Sequence, residues 1–141
     1  HIHSCGFVVN PHFSFIGASP DGKVCHNNQT GILEIKCPHR AANMTIEEAL
    51  QAKQDKKLKS FCLQKDADGN ICLPHHHAYY HQIQTQLLCT GVPFCDFIVW
   101  TNTDLHVERI YPNNETMTSI LEKSYMLFKE HAVPFLFSDK M

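Results

Sequence analysis

The order of residues predicts an α+β domain: strands first, then a helix, two more strands and a closing helix. Three observations carry that reading. β-Branched and aromatic runs broken by Pro, Gly and Asn turns fill the first part of the chain. Thr45-Ile46-Glu47-Glu48 is a capping-box pattern. Apolar residues recur at 117, 120, 121, 125, 127 and 128, which is helical spacing.

Taken in order, residues 4–10 are apolar enough for a short strand, which Pro11 and His12 interrupt. Residues 13–18 are apolar and end at Ser19-Pro20-Asp21-Gly22, a strong turn signal. A return strand over 23–26, a loop over 27–30 and a strand over 31–37 follow, and Pro38 stops the last. The helix after Thr45 should run for about a dozen residues with Ile46, Ala49, Leu50 and Lys53 on one side and its polar faces at the surface. Residues 61–63 and 71–73 flank the tip Asp66-Ala67-Asp68-Gly69-Asn70, which reads as a hairpin. A calcium loop fails there, because glycine comes at the fourth position of the run and no Glu stands at the twelfth. A helix over 77–89 with Gly91 as its C-cap comes next. Strands over 94–100 and 105–111 and a helix over 115–131 complete the chain, with Pro134 beyond the last helix.

Composition narrows the function classes. Leu, Ile, Val and Phe make up 37 of 141 residues, enough for a core. The net charge of −2 excludes a globally basic nucleic-acid binder but not a local basic patch. No apolar run approaches a membrane span, and no signal-peptide pattern opens the sequence. Seven irregularly spaced cysteines point to reduced thiols and an intracellular protein, nuclear or cytoplasmic. Glycosylation sequons at Asn28, Asn43 and Asn114 read as chance in that setting.

The chemistry concentrates around residues 21–36. Glu34 and Lys36 stand two apart on a strand, so both side chains leave one face, with Leu33, Ile35 and Cys37 on the other. An exposed strand carrying a cross-strand ion pair would explain that segment alone. Asp21 adds a second carboxylate from a turn that a short hairpin can return to the same edge. Two carboxylates, a backbone carbonyl and waters suit Mg²⁺, and a neighbouring ammonium can orient a nucleophile and offset charge on a phosphate.

Gly17-Ala18-Ser19-Pro20-Asp21-Gly22, Gly31-Ile32-Leu33-Glu34-Ile35-Lys36-Cys37-Pro38 and Tyr79-Tyr80-His81-Gln82-Ile83-Gln84-Thr85-Gln86 occur in that order. Together they closely resemble the phage lambda exonuclease/YqaJ viral recombinase family of the PD-(D/E)xK nuclease superfamily. The strand Cys95 to Trp100 and the closing helix also look like the family's. The resemblance implies a restriction-endonuclease-like core, a mixed central β-sheet flanked by helices. It also implies an Mg²⁺- or Mn²⁺-dependent deoxyribonuclease, exonucleolytic and linked to recombination or to mobile or viral DNA. DNA is the implied partner, and a homo-oligomer is compatible with the family.

By that resemblance Asp21 and Glu34 bind metal with the backbone carbonyl of Ile35, Lys36 is the catalytic lysine, and Gln82 faces the active site. Tyr79, Gln82 and Gln86 share a helix face. Ser19, Lys23, His39, Arg40, Tyr79 and Gln86 are candidate DNA contacts. For Gln82 and Gln86 the plain alternative is a solvated helix face, and for Tyr79 it is core packing. Related enzymes carry an upstream helix with a metal-facing glutamate and a segment that contacts a terminal phosphate. Nothing before Ser4 supplies either, so residues 1–141 are expected to be a single nuclease domain truncated at its N-terminus.

Other readings compete. A catalytically inactive DNA-binding or protein-interaction module would keep the same fold. Cys62, Cys72 and His75 or His77 could hold zinc if the hairpin folds back, although no standard finger spacing is present. His75 to His77 can approach DNA backbone or simply precede the helix cap. Lys53, Lys56, Lys57 and Lys59 read as a solvated face, and a Cys–His hydrolase has no motif support.

Overall fold

A computed structural model describes residues 1–138. Its main sheet has five strands in the order β1-β4-β5-β8-β9, with β1 at Ile2–His3, β4 at Gly22–His26, β5 at Gln29–Lys36, β8 at Cys95–Trp100 and β9 at Leu105–Ile110. The pairs β1–β4, β4–β5 and β8–β9 are antiparallel and β5–β8 is parallel, so the sheet is mixed as expected. A parallel pair needs a long crossover. Here that crossover holds α1 (Ile46–Gln54), a small hairpin of β6 (Gln64–Lys65) and β7 (Ile71–Cys72), and α2 (Ala78–Thr90).

Local chemistry accounts for most element boundaries. Asn27 and Asn28 both take positive φ, 48° and 61°. Two such residues form the tight turn that matches strand twist. The predicted four-residue loop is therefore a two-residue turn, and β5 starts at Gln29. Thr45 makes both halves of the capping box with Glu48. The helix it starts is shorter than a dozen residues, because Lys56 turns to φ 58° and the N–H groups of Lys57 and Leu58 fold back to the Ala52 carbonyl. Gly91 caps α2 in the left-handed conformation its φ of 67° requires.

Two further expectations are corrected. The strand predicted over 4–10 reduces to β2 (Val8–Val9), paired with β3 (Gly17–Ala18), because the Asn10 carboxamide accepts from the N–H groups of His12 and Phe13 and turns the chain. The closing helix does not end before Pro134. α3 (Asn114–Leu127) passes through a π-turn at Phe128–Ala132 into α4 (Val133–Phe137). Pro134 falls in the first turn of α4, where its missing N–H is not needed.

The inner face of the sheet, with Ile32, Cys95, Phe97, Val99 and Ile110, packs against Ile46, Ala49 and Leu50 of α1 and Tyr80, Ile83 and Leu87 of α2. Gln84, fully buried, donates to the Tyr111 carbonyl and accepts from the Asn113 N–H, tying α2 to the start of α3. On the outer face the Phe94 ring lies over Gly31, where any Cβ would sit 2.2 Å from a ring carbon. The Arg109 guanidinium covers the same ring at 3.7 Å and pairs bidentately with Asp96. Further along that face Ile35, Trp100, Leu105 and Val107 are exposed. No helix among the described residues is long and apolar enough to cross a membrane.

Candidate active site

Strand register brings the carboxylates together. Gly22 pairs with Leu33, so one further step along the antiparallel ladder puts Asp21 opposite Glu34. The Asp21 N–H still reaches the Leu33 carbonyl at 3.0 Å. Its Oδ2 accepts from the Ile35 N–H at 2.8 Å, and the side chain is exposed. Asp21 is thus clamped to the end of β5, next to the residue whose carbonyl was the third expected ligand.

Glu34 is the opposite case, a carboxylate only 2% exposed. A buried charge needs partners, and three converge on it. Lys36 Nζ and Gln82 Nε2 donate to Oε1, the latter at 2.8 Å, and Gln86 Nε2 donates to Oε2 at 2.7 Å. Lys36 also donates to Gln82 Oε1 at 3.2 Å, which closes a ring of three side chains. Its ammonium lies 4.4 Å from the centre of the Tyr79 ring. The residues Tyr79, Gln82 and Gln86 therefore do share the α2 face that meets Glu34 and Lys36.

Burial corrects the expectation for Gln86. It is neither a solvated side chain nor one open to a DNA strand. At 1% exposure it lies beneath Glu34, and its Oε1 has no partner among the described residues. Gln82, one turn earlier, is exposed. His39 and Arg40 stand exposed on the turn after β5, on the Lys36 side. Ser19 and Lys23 are exposed on the β4 side, and among the described residues neither joins the hydrogen-bonded cluster.

The donor set fits a hard divalent cation better than a soft one. It consists of two carboxylates and the Ile35 carbonyl, with Asp21 open to water. Among the described residues no group of three or more His, Cys, Asp or Glu could hold a metal, so the expected zinc ligands do not come together and the candidate cation site has only two carboxylates. The thiol of Cys62 is pushed up to about 11 by burial, away from the thiolate that zinc requires. His77 is the N-cap of α2, its Nδ1 accepting from the Tyr79 N–H at 3.0 Å. Burial, then Lys53 and His76, lowers its pKa, so it stands as a neutral cap.

Two residues with structural roles, Lys53 and Asp104, were not legible as such. Lys53 turns inward and donates to the carbonyls of Phe61 and Leu63, holding that segment beside the site. Asp104 accepts from the Ile46 N–H and so anchors the start of α1 from the β8–β9 turn. Cys95, expected as a small core side chain, is fully buried opposite Ile32, and its thiol pKa is raised by burial and then by the Glu34 charge. Lys53 was one step from recognition, since it shares the helix side of Ile46, Ala49 and Leu50.

Comparison with known proteins adds the following. The family model described as the YqaJ-like viral recombinase domain matches residues 2–93. The alkaline exonuclease LHK-Exo of Laribacter hongkongensis is similar in structure, with TM-score 0.58 and 23% identity over 96% of this chain and 60% of that one. The structure of LHK-Exo in complex with dAMP gives 0.59 and 22%, with the same coverage. The chain thus spans 60% of the length of these neighbours, and the likeness is one of fold. No curated protein matches.

Proposed function

The chain belongs to the YqaJ-like viral recombinase domain family, and from that premise we propose that it is a metal-dependent deoxyribonuclease. The observation that carries this reading is the convergence of Asp21, Glu34, Lys36 and Gln82 at the end of one strand. Asp21, Glu34 and the Ile35 carbonyl would hold Mg²⁺ or Mn²⁺. When bound, such an ion supplies an activated water and positive charge at a phosphoryl oxygen.

The chain's own residues supply the rest. Lys36 has three N–H donors; Glu34 and Gln82 occupy two, leaving one for a scissile phosphate oxygen or an attacking water. The Gln82 amide fixes the ammonium from one side, and the Tyr79 ring supports it from another. That pre-set charge offsets the one that builds on the phosphate in the transition state. Ser19, Lys23, His39 and Arg40 form a thin polar and basic edge suited to backbone phosphates. An exonucleolytic mode linked to recombination is supported by the family description and by neighbours that are alkaline exonucleases.

The test is cleavage of end-labelled linear DNA by the purified chain with Mg²⁺ or Mn²⁺. Lys36→Ala should lower the rate by about a hundredfold or more, the scale for removing a preorganised charge. No cleavage with either metal overturns the enzyme reading in favour of an inactive binding module.

A further inference from the structure

A cavity of about 300 Å³ is lined by His75, Tyr80 and residues 108–113. None of these residues belongs to the cluster around Glu34. Residues 108–110 alternate between the two faces of the sheet, yet all of them line the cavity. The cavity therefore runs along the edge of β9. That edge is unpaired: β9 is outermost in the sheet order, and among the described residues no strand pairs beyond it. Every second residue of such a strand turns its N–H and C=O outward.

The cavity is held in shape from several sides. Buried Gln84 uses both ends of its amide on the Tyr111 carbonyl and the Asn113 N–H, which fixes that wall. Glu108 Oε2 accepts from the Leu73 N–H at 2.7 Å. The His75 imidazole stacks on the Tyr80 ring at 4.3 Å. The chemistry is that of a cation site. Glu108 is the only acid in the lining, and its Oε1 has no partner among the described residues. Its charge reaches the Tyr80 hydroxyl, whose pKa is raised by burial and then by Glu108. The one permanent cation of the lining, Arg109, is paired with Asp96 on the other face of the sheet, over the Phe94 ring. The Tyr80–His75 stack and exposed Tyr111 offer aromatic faces. A carboxylate beside such faces suits a guanidinium, which stacks on rings and donates in a planar fork.

We propose that this edge docks an extended segment of a partner polypeptide, which pairs with β9 and places an arginine side chain in the cavity against Glu108 and Tyr111. Main-chain hydrogen bonds to β9 give such a complex its affinity, and the cavity selects the side chain. A polypeptide fits better than a free amine, because the cavity follows the strand edge. The neighbouring surface points the same way: Leu105 and Val107 on β9, and Trp100 opposite Leu105, are exposed. A nucleic-acid strand fits worse, since its phosphates would meet Glu108 and no unpaired permanent cation. The inference uses no residue of the candidate centre and stands apart from the nuclease reading.

Titration of the full chain, followed by calorimetry and amide NMR, tests this with three probes. They are the peptide Ac-Thr-Val-Arg-Val-Thr-NH₂, its citrulline counterpart, which keeps the shape without the charge, and Ac-Arg-NH₂. The arginine peptide should bind saturably and shift the amide signals of residues 105–113. The citrulline peptide should bind at least about tenfold more weakly, as for loss of a charge-assisted hydrogen bond. Glu108→Gln keeps an acceptor for the Leu73 N–H and should weaken the arginine peptide by a similar factor. Tyr111→Ala, at an exposed side chain whose tie to Gln84 is through its carbonyl, should weaken it as well. The proposal is overturned if the arginine peptide does not bind, if the citrulline peptide binds as tightly, or if both variants bind like the parent. It is also overturned if Ac-Arg-NH₂ binds as tightly as the peptide, because the strand edge then takes no part.

Discussion

At the scale of single residues, the candidate site is preorganised, because Glu34 is buried with its partners already in place. Both of its oxygens are satisfied from α2 and from Lys36. Replacing Gln86 by Leu removes the donor to Oε2 and leaves a charged acceptor buried. That change should cost about 1–3 kcal/mol, read as a shift in denaturant midpoint. The same logic of close fit applies at Gly31, under the Phe94 ring. Phe94 is held from above by Arg109, which Asp96 fixes in turn, so the ring has little room to retreat. Gly31→Ala should therefore destabilise the fold by about 1–3 kcal/mol, and a parental midpoint would show that the ring slides aside. Asp21, Glu34 and Lys36 could be grouped from their spacings, and Gln82 only through the family resemblance. The role of Gln86 was not legible: its place in the sequence says which helix face it shares, but only packing says whether that face is wet.

At the scale of elements, capping chemistry was the most readable feature. Thr45 with Glu48 and Gly91 sit where their side chains or φ angles demand. What could not be read were effects between distant segments. Asn10 reaches the Leu88 carbonyl across the fold, and the π-turn that carries the last helix past Pro134 has no local signature. The cap of α2 makes a pH-dependent prediction. His77 has its pKa lowered from 6.5 in the fold, so the unfolded chain binds its proton more readily. Its contribution to stability is complete above pH 6.5 and is lost as pH falls through the lower folded value. The melting temperature should drop between about pH 7 and pH 5. His77→Asn keeps an N-cap acceptor but does not titrate, so it should flatten that slope. An unchanged slope would assign the dependence to other groups.

At the scale of the whole molecule, a slightly acidic chain presents a narrow basic edge. If Lys23, Lys36 and Arg40 each neutralise one phosphate, DNA affinity measured in EDTA should fall with salt at a log–log slope of about −3. A slope near zero would remove the edge as the binding surface. The order of strands and helices was readable from hydrophobic patterning, whereas the parallel pairing of β5 with β8 was not, since nothing local encodes a partner so far away. That pairing has a kinetic consequence. Glu34 lies 48 and 52 residues before the glutamines that hold it, and long-range closures of this kind form slowly. During synthesis the first half of the site leaves the ribosome well before its partners, and Glu34 must wait in water until α2 arrives. The candidate centre therefore closes only once α2 has folded against β5, and a nascent copy that lacks α2 holds Glu34 without its glutamine partners.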